Sequence, residues 1–164
     1  MNIFYLDANP ELAAFYHCDK HVVKMILETA QMLCAAHHLK GDGIAIEHLY
    51  KLTHKNHPST VWVCDGAENY KWAYKLFCYL CDEYTYRYNK THLTDKKFRE
   101  YLKNIPINID KNKKFIQPPQ CMPQKYQHKD AVIGYRNYYI NEKGYMLKYK
   151  NRNEPEWLKD PIYE

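Results

Sequence analysis

The sequence predicts an all-α fold, a single compact domain over residues 1–164 with one long proline-containing loop. Three observations carry that expectation. Val22, Val23, Ile26, Leu27, Ala30, Leu33 and Cys34 recur at helical spacing, and so do Ala73, Leu76, Phe77, Leu80 and Tyr84. Helix-start signals, Asn9-Pro10 and Asp130, stand ahead of further apolar runs. At 164 residues the chain is long enough to bury a sizeable core without disulfides or metals.

In chain order, Asn2-Ile-Phe-Tyr-Leu6 reads as a strand or as an extended segment plugged into the core. Asn9 caps a first helix from Pro10 to about Cys18. Asp19 starts a second helix at Lys20, unless the first continues unbroken to Leu39; Gly41-Asp-Gly43 ends it. Ile44–Thr53 reads as a short helix. In the polar turn that follows, Ser59 or Thr60 caps Val61–Cys64. A long helix spans Ala67 to about Asn89, and Thr94 caps a basic one, Asp95–Lys103. Asn104 to Gln127 holds Pro106, Pro118, Pro119 and Pro123 and reads as a long ordered loop. Asp130 caps a last helix running to about Met146 despite Gly134 and Gly144, and the tail carries Arg152, Trp157 and Tyr163.

Composition narrows the function classes. Five glycines and 46% hydrophobic residues argue against disorder. Seventeen tyrosines suit a surface that stacks on and hydrogen-bonds a ligand, and a net charge of +5 favours an anionic one. No stretch is long and apolar enough to span a membrane, and no signal peptide precedes the first helix. The expectation is a soluble, cytoplasmic protein without a membrane partner. Cys78-x-x-Cys81 lacks a matching second pair, so buried, reduced thiols are expected.

The richest stretch is residues 15–38. His17, His21, Lys24, Glu28 and Gln31 fall on one line of the helix, beside the apolar stripe. That line is either a solvated face or the polar wall of a pocket, with His21 and Glu28 as an acid/base pair beside Lys24. His17 and His21, at i and i+4, also have the spacing to grip a metal, although Cys18 stands where the zinc-protease pattern has Glu. Aromatic and basic residues cluster at Tyr84–Tyr88 around Arg87, at Tyr135–Tyr139 around Arg136, and at Lys148–Trp157. Bases stack on aromatic rings while Arg and Lys hold phosphate, so DNA or a small nucleotide is the expected partner. Lys20, Lys24, His57, Arg87, Arg136 and Tyr139 are the candidate contacts. There is no glycine-rich phosphate loop and no acidic two-metal cluster, so the chemistry is expected to need no cofactor.

The block from Pro10-Glu-Leu-Ala13 through Asp19-Lys-His-Val-Val-Lys24 resembles the first helices of the phage endonuclease V family, the pyrimidine-dimer DNA glycosylases. The order of later blocks is similar: a turn with His57-Pro58, an aromatic-rich long helix, and Pro155-x-Trp157 in the tail. Cys18–Lys24 also resembles a set of small phage and virus proteins. The first resemblance implies a compact all-α glycosylase for DNA repair. Its N-terminal amine attacks the sugar carbon and forms an imine, a Glu assists, and two Arg hold the DNA backbone. Lys20 and Lys24 match the two Arg positions, and His21 stands at the Glu, which leaves Glu28 as the nearby carboxylate. The family exposes a Thr by removing the initiator Met; Asn2 is too large for efficient removal, so the free amine here is that of Met1. The leading expectation is therefore an N-glycosidase acting on nucleic acid or nucleotide, with Met1, His21 and Glu28 catalytic. The alternatives are a viral nucleotide-binding protein that acts on or sequesters nucleotide immune signals, without catalysis or as a hydrolase, and a His-ligated metal hydrolase.

Overall fold

The computed structural model of the chain describes residues 1–159, and Tyr163 lies outside them. Six α-helices form: α1 (Pro10–Tyr16), α2 (Asp19–Lys40), α3 (Pro58–Asp65), α4 (Ala67–Tyr88), α5 (Leu93–Leu102) and α6 (Ala131–Glu142). Short 3₁₀ turns lie between and after them, and among the described residues there is no strand. The fold is all-α, as the periodicity predicts. No helix among the described residues is long and apolar enough to cross a membrane.

The helix starts follow local chemistry. The Asn9 side chain accepts the Glu11 N–H and Pro10 supplies a preset φ, so α1 begins where expected. Asp130 caps α6 in the same way through the Val132 N–H. Two starts are earlier than expected, because histidine does the capping. His57 Nδ1 accepts the Ser59 N–H, and His92 Nδ1 accepts the Thr94 N–H. Thus α3 begins at Pro58 and α5 at Leu93, while Ser59, Thr60 and Thr94 lie inside helices, buried. Ile44–Thr53 forms only a 3₁₀ turn, Ile46–His48, whose entry residue Ala45 has φ 62°. The last helix stops at Glu142, and Gly144–Met146 is a separate 3₁₀ turn.

The two longest helices, α2 and α4, pack on each other, and α1, α3 and α5 close around them. Residues 2–6 are not a strand. Ile3, Phe4, Tyr5 and Leu6 are buried as irregular chain threaded into the core, turning where the Leu6 N–H meets the Phe4 carbonyl at 2.9 Å. They lie against α6: the Tyr135 hydroxyl bonds Asn2 Oδ1 at 3.2 Å, and Arg136 Nε donates to the Leu6 carbonyl at 2.8 Å. All six cysteines are free thiols, four of them buried.

The chain breaks between α1 and α2 at His17-Cys18, and one guanidinium holds that corner. Arg87 on α4 is 1% exposed. It donates to the carbonyls of Phe15 (3.1 Å) and His17 (2.8 Å), to Asp19 (3.0 Å) and to Glu83 one turn back (2.9 Å). Glu83, also 1% exposed, receives Arg152 from the tail at 2.7 and 3.1 Å. Two cations and two carboxylates thereby balance. A buried charge is tolerable only on such terms.

The long loop is ordered because its side chains are spent on backbone. Gln117 Oε1 accepts the Ala131 N–H, the Tyr135 hydroxyl donates to the Pro119 carbonyl, and the Gln120 amide clasps His128 on both its N–H and C=O sides. Gly134 is the reason the clasp fits, since a methyl group there would overlap the Gln120 amide.

Two stability measurements follow. Arg87→Ala leaves Glu83 buried beside a lost partner and the α1 carbonyls bare, so urea unfolding should show a loss of about 3–5 kcal/mol. Gly134→Ala gains about 1 kcal/mol of helix propensity but unseats two hydrogen bonds of about 1 kcal/mol each. Its melting temperature should fall, although the same change on an open helix face would raise it.

Candidate active site

The buried N-terminal segment delivers Met1 to the polar line of α2. Asn2 Nδ2 donates to the Cys121 carbonyl at 3.1 Å, and the Thr60 hydroxyl points at Met1 Sδ at 3.8 Å, fixing the first residues between α3 and the loop. The Met1 amine then lies 3.5 Å from Glu28 Oε1, while Lys24 Nζ lies 3.7 Å from Oε2. Both pairs are looser than a charge-assisted hydrogen bond of about 2.7–2.9 Å. The amine is held near the carboxylate without being clamped to it. Met1 and Glu28 are largely covered and Lys24 is 71% exposed, so the carboxylate bridges an inner and an outer cation.

These groups surround a cavity of about 120 Å³, together with Asn2, Phe4, His21, Met25, Tyr138 and Lys143. The sequence line His21–Lys24–Glu28 is therefore a cavity wall and not a plain solvated face. Phe4 and Lys143 were not foreseen, and Tyr138 stood only within the aromatic cluster at Tyr135–Tyr139, with nothing to link it to this wall. They reach the site by docking of the N-terminal segment and α6, and no local pattern marks that.

His21 is 6% exposed. Phe4 stacks on it with ring centroids 4.2 Å apart and planes 23° apart, and its Nδ1 is 2.6 Å from the Tyr139 hydroxyl. Burial, with lesser help from His17, Lys143 and Lys24, lowers its pKa to about 3. At neutral pH His21 is uncharged, and too weakly basic for the proton-shuttling role expected of it. His17 is wholly buried, its Nδ1 bonded to the Ala13 carbonyl at 2.6 Å, and burial takes its pKa to about 4. The two rings are 6.5 Å apart, and among the described residues no three His, Cys, Asp or Glu side chains are grouped as a metal needs. The geometry gives the metal-hydrolase alternative no donor set.

The six phosphate-contact candidates separate. Lys20 and Lys24 are exposed on α2. His57 is half-buried at the head of α3; burial lowers its pKa, the nearby chain-start amine adds to that, and Glu28 opposes it. Arg87 belongs to the α1–α2 corner and has no face toward solvent. Arg136 is spent on the Leu6 carbonyl and Asp7, and lies over the Tyr16 and Trp157 rings. Tyr139 is fully buried, bonded to His21 and Cys18. The surface role expected of Arg87 and Tyr139 therefore fails on burial, and Arg136 already has protein partners.

A larger hollow of about 870 Å³ lies between α1, the end of α4 and the tail. There Arg152 sits between Phe15 and Tyr86, 4.5 and 3.9 Å from their ring centroids. Arg152 is paired with Glu83 and Arg136 with Asp7, and Glu154 and Glu156 stand on the rim. The hollow offers no excess of positive charge to an anion.

No family model matches this chain, and neither a curated protein nor a solved structure matches it.

The two depressed histidines set a pH dependence of stability. Unfolded His17 and His21 take up protons near pH 6.5, and the folded rings refuse them down to about 4 and about 3. Their contribution is complete above about pH 6.5 and is lost as pH falls below it. The melting temperature should drop between pH 6.5 and 4, and His21→Gln should flatten that slope.

Proposed function

We propose that the chain is an N-glycosidase acting on DNA, with the Met1 amine as nucleophile and Glu28 as its proton acceptor and later donor. The observation that carries the reading is the 3.5 Å approach of that amine to a largely covered carboxylate at the wall of a small cavity. An amine is nucleophilic only after losing a proton, and a carboxylate within reach is the group to take it.

The steps balance. Glu28 takes one proton from the Met1 ammonium, and the free amine attacks C1′ of the target nucleotide. The C1′–N bond breaks with its electron pair on the base, which leaves with a second proton from the new C1′–N⁺ centre. The remaining nitrogen lone pair opens C1′–O4′, and protonated Glu28 returns its proton to O4′. The product is an iminium between Met1 and the sugar, and Glu28 is again a carboxylate.

Cavity size supports a polymeric substrate. About 120 Å³ is the share of roughly four waters, well under the ~300–1,000 Å³ of sites that engulf small molecules. Such a cavity takes the edge of one sugar while the rest of the substrate stays outside. Lys20 and Lys24 on the exposed face of α2, with Lys143 at the cavity, supply positive charge where flanking phosphates would lie. The His21 position, filled by Glu in the family the sequence resembles, becomes a neutral polar wall, and the carboxylate enters from Glu28 instead.

Borohydride trapping on ultraviolet-irradiated duplex DNA, with undamaged DNA and free nucleotides alongside, tests the proposal. An intact mass first establishes that the Met1 amine is free. The expected result is a reduced covalent adduct on Met1, with the trapping rate lowered about 10²–10⁴-fold in Glu28→Gln. Base release without an adduct would transfer the nucleophile's role to water. Intact substrates throughout would overturn the glycosidase reading and leave a binding protein.

A further inference from the structure

The buried side of His21 carries information that its exposed side does not. The Tyr139 oxygen lies 3.3 Å from the Cys18 backbone nitrogen, 2.6 Å from His21 Nδ1 and 3.7 Å from Cys18 Sγ. A backbone N–H can only donate, so the tyrosine oxygen accepts there. Its single proton then has two possible receivers, an imidazole nitrogen at 2.6 Å and a thiol sulfur at 3.7 Å. Sulfur is a weak acceptor, and the shorter contact takes the proton. With Nδ1 accepting, the proton of a neutral imidazole must sit on Nε2.

Among the described residues Nε2 has no hydrogen-bond partner, yet it is not among the sealed orphans. The buried side-chain atoms without a partner among the described residues are His17 Nε2, Thr29 Oγ1 and Trp157 Nε1. His21 lines the cavity, and with Nδ1 taken by the buried Tyr139 hydroxyl, Nε2 is the ring nitrogen left to serve it. The groups facing that ring are His17, Lys24, Lys143 and the Met1 amine, with Glu28 as the one carboxylate at the cavity. Four neighbours that are basic or positive disfavour a second proton on the ring.

We infer that Tyr139 is a positioning residue that fixes His21 as the Nε2–H tautomer, so that His21 presents a neutral hydrogen-bond donor to the substrate atom on which negative charge develops as the base departs. The catalytic half of this inference rests on the proposed glycosidase reading; the tautomer does not. A neutral donor of this kind stabilises developing charge without giving up its proton, whereas an imidazolium would add a further cation to a site that already holds three. The stack on Phe4 and the bond to Tyr139 together leave the ring little freedom to turn its Nδ1 edge outward.

The test is a long-range ¹H–¹⁵N spectrum of the full chain labelled in histidine nitrogen, with His21 assigned from the His21→Gln spectrum. The expected result is a protonated Nε2 and an unprotonated, hydrogen-bonded Nδ1, unchanged from pH 8 to pH 5. A protonated Nδ1, or an imidazolium at pH 7, would overturn the inference. Tyr139→Phe should give a mixture of both tautomers, and it should lower the single-turnover trapping rate at least about 10-fold with little change in DNA affinity. An unchanged histidine spectrum in Tyr139→Phe would also overturn it. If Tyr139→Phe does not fold, the wild-type spectrum still decides. Because that spectrum needs no substrate, an Nε2–H tautomer without any adduct would refute the glycosidase and leave the positioning assignment standing.

Discussion

The Arg87 guanidinium is the constraint on which the remaining geometry depends. Helix α1 ends with bare carbonyls at Phe15 and His17, and α2 begins after Cys18, which makes no side-chain cap. One planar cation from α4 meets both carbonyls and the Asp19 carboxylate, so helix end and helix start are fixed against the same group. Asp19 in turn accepts the Lys150 N–H, and Arg152 shares Glu83, so the tail is tied to the same point. His21 follows Asp19 by two residues. The direction in which α2 presents His21, Lys24 and Glu28 is set at this corner, one step away from the chemistry.

The candidate site works through a contrast in solvation. His21 is desolvated, stacked and bonded, and it stays neutral across the ordinary pH range. Glu28 keeps part of its surface and stands between two cations at 3.5 and 3.7 Å. With Lys143 the cavity holds three ammonium-type groups to one carboxylate, so its wall is positive on balance. The neutral half of the site is set by buried aromatic contacts, and the charged half lies along Met1, Glu28 and the exposed Lys24.

Much of this architecture could be read from the residues. The long helices announce themselves by a 3.6-residue apolar period, and Asn9-Pro10 and Asp130 mark their starts by chemistry that acts within three residues. The α3 and α5 boundaries were legible only if histidine is counted as a cap, because His57 and His92 do with Nδ1 what Ser or Asp does with oxygen. The alignment of His21, Lys24 and Glu28 was visible, but not what faces it. Burial of Arg87 was not visible either. Its neighbours Tyr84, Tyr86 and Tyr88 suggest a surface ladder, yet a residue's side of a helix is decided by partners far along the chain. Phe4, Tyr138 and Lys143 join the site for the same non-local reason.

The buried segment at residues 2–6 has a consequence for how the molecule is made. Its polar partners, the Cys121 carbonyl and the Tyr135 hydroxyl, lie 119 and 133 positions further along the chain. Translation at about 5–20 residues per second separates the two by roughly 6–27 s. Through that interval Ile3, Phe4, Tyr5 and Leu6 have only part of their groove, with Phe4 against His21 and Tyr5 against Trp72, and α1–α5 are complete before α6 closes it. Closing so long a loop is the slow, late kind of contact. Asn2 thus waits for its last partner until α6 emerges, and the cavity gains its Tyr138 and Lys143 walls only from that moment.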